Sequence, residues 1–228
     1  GGTLHQCSGS PERDLWFASR LIHRLADYGV SLETTPEAFS ARLKTNAETY
    51  KADVEQSMRE LPSEIIWNDY YLKEYEIGRE RLKPFAEELS FLYDYERVKN
   101  MRRKDLTQTM DELQAMGLRI GVISNIISLS IVDHFLAEYG LTRYMQCVIT
   151  SAGTGIRKPS AEIFRVAEAA LNLPPEQLAY VGDTISRDVR GARNAGWRLM
   201  IQIRNPGTAH RDACMRGLGY KPDYLIDE

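Results

Sequence analysis

Over the first hundred positions, apolar residues recur at intervals of three and four. Leu15, Ala18, Ile22 and Leu25 step along one face, the spacing of an amphipathic helix. Ser10 and Pro11 ahead of them can open such a helix, and Gly29 behind them can close it. The device repeats: Thr35 and Pro36 open a second stripe through Phe39, Leu43, Tyr50, Val54, Met58 and Leu61, and Pro62 stops it. Ser63 and Glu64 begin a third, aromatic-rich helix through Trp67, Tyr70 and Tyr71, and a fourth is predicted over 85–93. No convincing strand separates them, so 11–103 reads as a helical bundle.

After residue 105 the grammar changes. Leu106, Met110 and Leu113 mark a helix that Gly117 closes, and a buried strand follows at 119–123. Ile131 and Phe135 lie on a helix before a strand at 147–150; a helix at 163–171 precedes a strand at 178–182; one at 189–195 precedes 198–203; and 224–226 adds an edge strand. Helices alternating with short apolar strands are the pattern of a parallel sheet with helical crossovers. The fold class expected is therefore α/β, a doubly wound parallel sheet with a helical insertion.

Composition narrows the range of functions. The 228 residues hold 29 Lys and Arg against 32 Asp and Glu, a net charge of −3. Neither sign runs in a long block, so nothing marks a nucleic-acid tail or a membrane-adsorbing patch, and small molecules are the expected partners. At 43% hydrophobic and 27% charged residues the chain is ordinary for a globular protein. Cys7, Cys147 and Cys214 are odd in number and widely spaced, so neither a disulfide framework nor a Cys-x-x-Cys zinc site can be drawn. The most apolar stretch, 120–132, is broken by Ser124, Asn125, Ser128 and Ser130, well short of the ~20 residues of a spanning helix. With no signal or transit segment at its start, the chain reads as cytoplasmic.

In an open parallel sheet, ligands bind beyond the carboxyl ends of the strands, and three such positions stand out. Ser124-Asn125 offers a hydroxyl and backbone donors for a phosphoryl oxygen, or simply starts a turn. Lys158, immediately before Pro159, could neutralise a phosphate or carboxylate, or be a solvated loop lysine. Asp183, with Asp188 five positions on, has the oxygen ligands of a Mg²⁺ site, or caps a helix. Gly153-Thr-Gly155 lacks the third glycine of a dinucleotide loop.

Taken in this order, the three features resemble the haloacid dehalogenase (HAD) superfamily of phosphatases and related hydrolases. Val122-Ile-Ser124-Asn resembles the family's second motif and Arg157-Lys158-Pro159-Ser-Ala-Glu-Ile-Phe164 its third. Val181-Gly182-Asp183-Thr184 through Asp188, Gly191-Ala192 and Ala195-Gly196 resembles the fourth. The resemblance implies a Rossmann-like core, here 1–9 and 95–228, with a four-helix cap at 10–94. It implies that Ser124 binds the transferring phosphoryl group with Asn125 nearby, that Lys158 offsets charge there, and that Asp183 holds Mg²⁺ with Asp188 as ligand or orienter.

The family's first motif reads Asp-x-Asp-Gly-Thr-Leu. Gly2, Thr3 and Leu4 match its last three letters, which puts Gly2 and Thr3 at the phosphate site. Gly1 stands where the second Asp, the general acid/base, belongs, and the nucleophilic Asp and first strand are expected ahead of Gly1. General acid/base help is worth about 10²–10⁴-fold, and His5, His23 or a glutamate are candidates to supply it. The reaction expected is Mg²⁺-dependent hydrolysis of a small phosphorylated metabolite, a phosphate monoester, through an aspartyl-phosphate, by a monomer or homodimer. The alternatives are a non-catalytic phosphate- and metal-binding regulatory module, or a dehalogenase or phosphonate-cleaving member of the same superfamily. Tyrosines and Trp67 of the third helix would line the substrate face, join a dimer contact or pack within the bundle.

Overall fold

Side-chain caps set the starts of the two long helices. Ser10 Oγ accepts the Arg13 N–H at 3.2 Å, and Pro11 takes the first turn of α1 (Pro11–Asp27), where a missing N–H is no loss. Thr35 caps α2 (Pro36–Ser57) the same way, through the Ala38 N–H at 3.3 Å. The computed structural model describes residues 1–215 and 217–227, with all their side chains except those of His210, Arg211 and Cys214. The chain divides into two units: Gly1–Gln6, Met101–Asn125 and Val132–Glu228 form one, Cys7–Asn100 and Ile126–Ile131 the other.

The helical unit continues with α3 (Ser63–Ile65), which widens into a π-helical stretch at Ile66–Tyr71, then α4 (Arg79–Leu82) and α5 (Ala86–Glu96). Phe17, Leu21, Phe39, Ile66, Trp67 and Leu89 are almost wholly buried in its core, each contributing about 1.5–3 kcal/mol by leaving water. The aromatic helix thus packs inward: Trp67 and Tyr71 are buried, and Trp67 Nε1 donates to Ser90 Oγ at 2.9 Å. Its wider winding, with Leu72 N donating to Trp67 O five residues back, is not visible in an apolar stripe. α2 stops short of the predicted reach to Leu61, because Met58 turns left-handed with φ +54°; Leu61 still packs against the core from beyond the helix.

The expectation of an unbroken helical region to residue 103 is corrected at its end. Lys99–Arg102 forms strand β2, paired with β1 (His5–Ser8). These short strands are mostly exposed and carry Lys, Asn, Arg and Gln rather than an apolar alternation, so period-two patterning gave no sign of them.

Two carboxylates on α5, two helical turns apart, hold the segment 126–131 within the same unit. Glu87 Oε1 accepts from Ser128 Oγ at 2.7 Å, Leu129 N at 2.8 Å and Ser130 N at 3.3 Å. Asp94 Oδ2 accepts from Ile127 N and Ser128 N, both at 3.2 Å. Burial pushes the Asp94 carboxyl up to about 7 despite those two N–H donors and Arg97; Glu60 adds to the rise.

The α/β unit runs through α6 (Leu106–Ala115), β3 (Ile120–Ser124), α7 (Ile131–Glu138), β4 (Met145–Thr150), α8 (Ser151–Thr154) and α9 (Ala161–Leu171). It ends with β5 (Ala179–Gly182), α10 (Arg190–Ala195), β6 (Leu199–Ile203), α11 (Ala209–Asp212) and β7 (Tyr224–Ile226). The ladders among β3 to β7 are parallel. β3 pairs with β4, Ser124 opposite Thr150; β5 with β6, Gly182 opposite Gln202; and β6 with β7, the expected edge strand. The strands form a two-stranded and a three-stranded sheet, so β3 and β5 each pair on one side among the described residues, and Val181 is 40% exposed. Phe164 sits edge-on to Tyr180 and Trp197, ring centroids 5.1 and 5.3 Å away, with Ile163, Val189 and Met200 buried around them. Among the described residues no helix is long and apolar enough to cross a membrane. Cys147 is a free thiol, and Cys7 Sγ donates to Asn100 Oδ1 at 3.3 Å; the Cys214 side chain lies outside the described residues.

Candidate active site

Parallel pairing gathers the carboxyl ends of strands, and the loops leaving them carry the residues singled out in the sequence. Ser124 ends β3, and Asn125 follows it. The Asn125 amide is tied at both ends to one backbone residue: Oδ1 accepts Lys158 N and Nδ2 donates to Lys158 O, each at 2.9 Å. That two-point tie fixes the loop after α8, in which the Lys158–Pro159 peptide bond is cis.

The Lys158 ammonium has three donors and finds three acceptors: Asp188 Oδ1 at 2.7 Å, Tyr180 Oη at 2.8 Å and Ile123 O at 3.2 Å. Burial alone would lower the lysine, but the Asp188 carboxylate and the Tyr180 hydroxyl hold it well above its ordinary range. Burial likewise works against an ionised Asp188, yet Lys158, Arg187 and the Thr184 hydroxyl hold its carboxyl well below the usual carboxylate range. Burial is the main reason that the Tyr180 hydroxyl is pushed up to about 12. The pair is therefore charged at neutral pH.

Asp188 spends its other oxygen on the loop after β5. Oδ2 accepts from Thr184 Oγ1 at 2.6 Å, Thr184 N at 3.0 Å and Asp183 N at 3.2 Å. Both its oxygens are thus engaged within the protein. Only glycine serves at 182, where a Cβ would lie 2.5 Å from the Asp188 Cβ. Asp183 is buried, its Oδ2 accepting from Asn205 Nδ2 at 2.7 Å.

Gly2 faces the Asp183 carboxylate. Its φ is +83°, and a Cβ there would lie 2.1 Å from Asp183 Oδ2, so the position excludes any side chain. A tight turn shapes this approach: Gly2 N donates to His5 O at 2.8 Å, and Arg103 Nη2 donates to Gly2 O at 2.9 Å. Thr3 lies within that turn. His5 does not suit the part of a borrowed acid: it is buried against Phe135 and Tyr139, and that burial drives its imidazole down to about 3. His23 belongs to α1 of the helical unit, with Nδ1 2.7 Å from Ser19 O.

Gly2, Lys158, Asp183 and Asp188 are thus brought into one network with Asn125, directly after Ser124. Sequence reasoning missed Tyr180, Asn205, Thr208 and Asp212. Tyr180 is one apolar-strand residue among others and gives no signal. Asn205 could have been found, since inspecting strand ends works for β6 as it does for β3 and β5.

Among the described residues no group of three or more His, Cys, Asp or Glu can hold a metal ion. The donor set nevertheless fits Mg²⁺: Asp183 offers hard carboxylate oxygens in a cradle that a Cβ at Gly2 would fill. Mg²⁺ commonly takes one or two carboxylates and completes its shell with waters and substrate phosphate.

The arrangement is that of an α/β protein with charged loops at the ends of parallel strands, and solved structures share its fold. A 2-haloacid dehalogenase from Pseudomonas syringae superposes with a TM-score of 0.62 at 18% identity, covering 98% of this chain and 89% of that one. A HAD phosphatase from Thermococcus onnurineus gives 0.56 at 21% identity, covering 99% and 89%. Residues 2–196 match the haloacid dehalogenase-like hydrolase family, and the chain belongs to it. In sequence it is 30% identical over 123 residues to a glyceraldehyde 3-phosphate phosphatase from Methanopyrus kandleri, covering 54% of this chain and 51% of that protein. It is 33% identical over 115 residues to a phosphoserine phosphatase from Thermus thermophilus, covering 50% and 46%. The chain spans about half the length of the curated relatives it matches.

Proposed function

We propose that the protein is a Mg²⁺-dependent phosphatase that hydrolyses a small phosphate monoester through an aspartyl-phosphate intermediate. The observation that carries this reading is the Lys158 ammonium, buried and charged beside the loop of Asp183, with Gly2 against the Asp183 carboxylate. A site of this make-up suits phosphoryl transfer, which is mostly positioning and neutralisation of charge. The activities of the glyceraldehyde 3-phosphate and phosphoserine phosphatases, both on small phosphate esters, support the substrate class. A HAD-hydrolase of Bacillus subtilis with the same fold, TM-score 0.54 at 20% identity, is bound to magnesium.

In this mechanism the Ser124 hydroxyl and the backbone N–H groups of Thr3 and Asn125 bind phosphoryl oxygens, and the turn at Gly2 brings Thr3 there. Lys158 draws charge from the phosphoryl group and from the attacking carboxylate. Asp188 holds Lys158 on one oxygen and the 183–184 loop on the other, which makes it an orienter. Asp183 holds Mg²⁺, which supplies further neutralisation of the phosphoryl oxygens when bound. On this reading the family's first motif puts the nucleophilic aspartate two residues before Gly1, so the test uses a protein that carries that position.

A screen of small phosphate esters with MgCl₂ is expected to give turnover that EDTA abolishes. Asp183→Asn should abolish it, and Lys158→Ala should lose about 100-fold or more in rate. Near-wild-type rates in either variant refute the site. Turnover of a 2-haloacid that survives EDTA would favour dehalogenation on the same scaffold; binding of phosphate without any turnover would favour a regulatory module.

A further inference from the structure

We propose that Asn205 is a positioning residue for Asp183: its amide selects which carboxylate oxygen is presented, and so sets the affinity of the site for a divalent cation. The inference rests on the reading of Asp183 as the metal-holding carboxylate.

The placement follows from topology. β6 runs parallel to β5 with Gln202 opposite Gly182, so the chain leaving β6, with Asn205 second after Ile203, emerges on the same side as Asp183 just past β5. The amide's orientation is set by a second bond. Asn205 Oδ1 accepts the Gly207 N–H at 3.1 Å, capping the short turn Pro206–Thr208, which leaves Nδ2 to face Asp183 Oδ2 at 2.7 Å. A flipped amide would set two oxygens against each other.

Asn205 is the first point of a longer clamp. The Thr208 hydroxyl lies 3.2 Å from Asp183 O and 2.9 Å from Asn205 O. The Asp212 carboxylate accepts the Ile185 and Ser186 N–H groups, each at 2.9 Å. The segment 205–212 thereby grips the 183–186 loop at its side chain, its carbonyl and its following amides. Asp188 binds the Asp183 and Thr184 N–H groups of the same loop.

The choice of an amide has a chemical reason. A lysine or arginine at 205 would cancel the negative charge that a cation needs. A neutral N–H orients the carboxylate and leaves its charge in place. One Oδ2 lone pair is taken, so the free lone pairs of Oδ1 point in a fixed direction. Groups that orient a ligating carboxylate in this way are typically worth about 10–100-fold in metal affinity.

The test is calorimetric titration of the full-length protein with MgCl₂ alone, beside Asp183→Asn, Asn205→Ala and Asn205→Asp. Wild type is expected to bind and Asp183→Asn to lose binding. Asn205→Ala should weaken binding about tenfold, besides lowering the Tm by whatever its turn cap contributes, and any turnover it loses should return as MgCl₂ is raised. Asn205→Asp, which sets a second carboxylate beside Asp183, should bind Mg²⁺ more tightly than Asn205→Ala. If Asn205→Ala binds as wild type does while Asp183→Asn does not bind, the inference about Asn205 fails and the metal reading stands. A lower Tm in Asn205→Ala with an unchanged dissociation constant overturns it too, as a purely structural role. If wild type takes up no Mg²⁺, the reading of Asp183 falls and the inference with it.

Discussion

The two units stabilise themselves by different means. In the helical unit each helix satisfies its own backbone hydrogen bonds, and the core is an aromatic and aliphatic interior with little ionic content beyond Asp94 and Glu60. In the α/β unit the strands depend on neighbours, β3 and β5 are each paired on one side among the described residues, and an ion pair, Lys158–Asp188, is buried with side chains only 11% and 4% exposed. Apolar burial has no preferred direction, whereas a buried charge pair holds only in one geometry. The first unit can tolerate local rearrangement such as the π-helical stretch at Ile66–Tyr71. The second cannot loosen without exposing a charge, which is the rigidity a reacting site requires.

Three substitutions press on that contrast, from the largest effect to the smallest. Removing one partner of the ion pair should be the most severe: Asp188→Ala leaves a buried ammonium and frees three loop donors, a loss of about 3–5 kcal/mol. Chemical denaturation measures it, and the double variant Lys158→Met/Asp188→Ala should recover part of the loss, since the unpaired charge is gone. No recovery would mean that the pair is not the source of the cost. Trp67→Ala in the helical unit should cost about 3–5 kcal/mol from cavity formation, but no second substitution at a charge will rescue it.

The third concerns pH. Asp94 is raised to about 7 in the fold, against about 3.9 in an unfolded chain. Below both values it is protonated in both states. Between them the unfolded chain gives up a proton that the fold retains, so stability falls as pH rises towards 7 and levels off above it. Arg97 and the Ile127 and Ser128 N–H groups oppose the shift, and Glu60 reinforces it. Asp94→Asn removes this slope, so thermal melts should show the variant gaining on wild type between pH 5 and pH 8. A constant difference across that range would show that Asp94 titrates normally.

Much of this was legible in the sequence, and the reason differs between elements. Helix starts were written in Ser10-Pro11 and Thr35-Pro36, because a cap is a local interaction. The four crossover strands were legible because each is a short, nearly continuous apolar run, although the fold leaves some of their positions exposed, Val181 among them. β1 and β2 were not, since exposed strands of four residues carry no such run. At the site, Ser124, Lys158, Asp183 and Asp188 could be named because each follows a strand or opens a helix. Tyr180 and Asp212 could not, because their roles arise only from folding: one is an ordinary strand tyrosine until Lys158 reaches it, and the other lies 26 residues from the Ser186 amide that it accepts.

The grip of Glu87 and Asp94 on the chain after Asn125 has a consequence for solvent exchange. From Ile127 to Ile131 every backbone N–H points at a carboxylate or at the Ser128 hydroxyl. A stretch that precedes α7 without helical hydrogen bonds of its own will therefore resist deuterium as a helix does. The amides that follow the candidate phosphoryl-binding pair are timed by the opening of α5's carboxylates, not by the fraying expected of a loop.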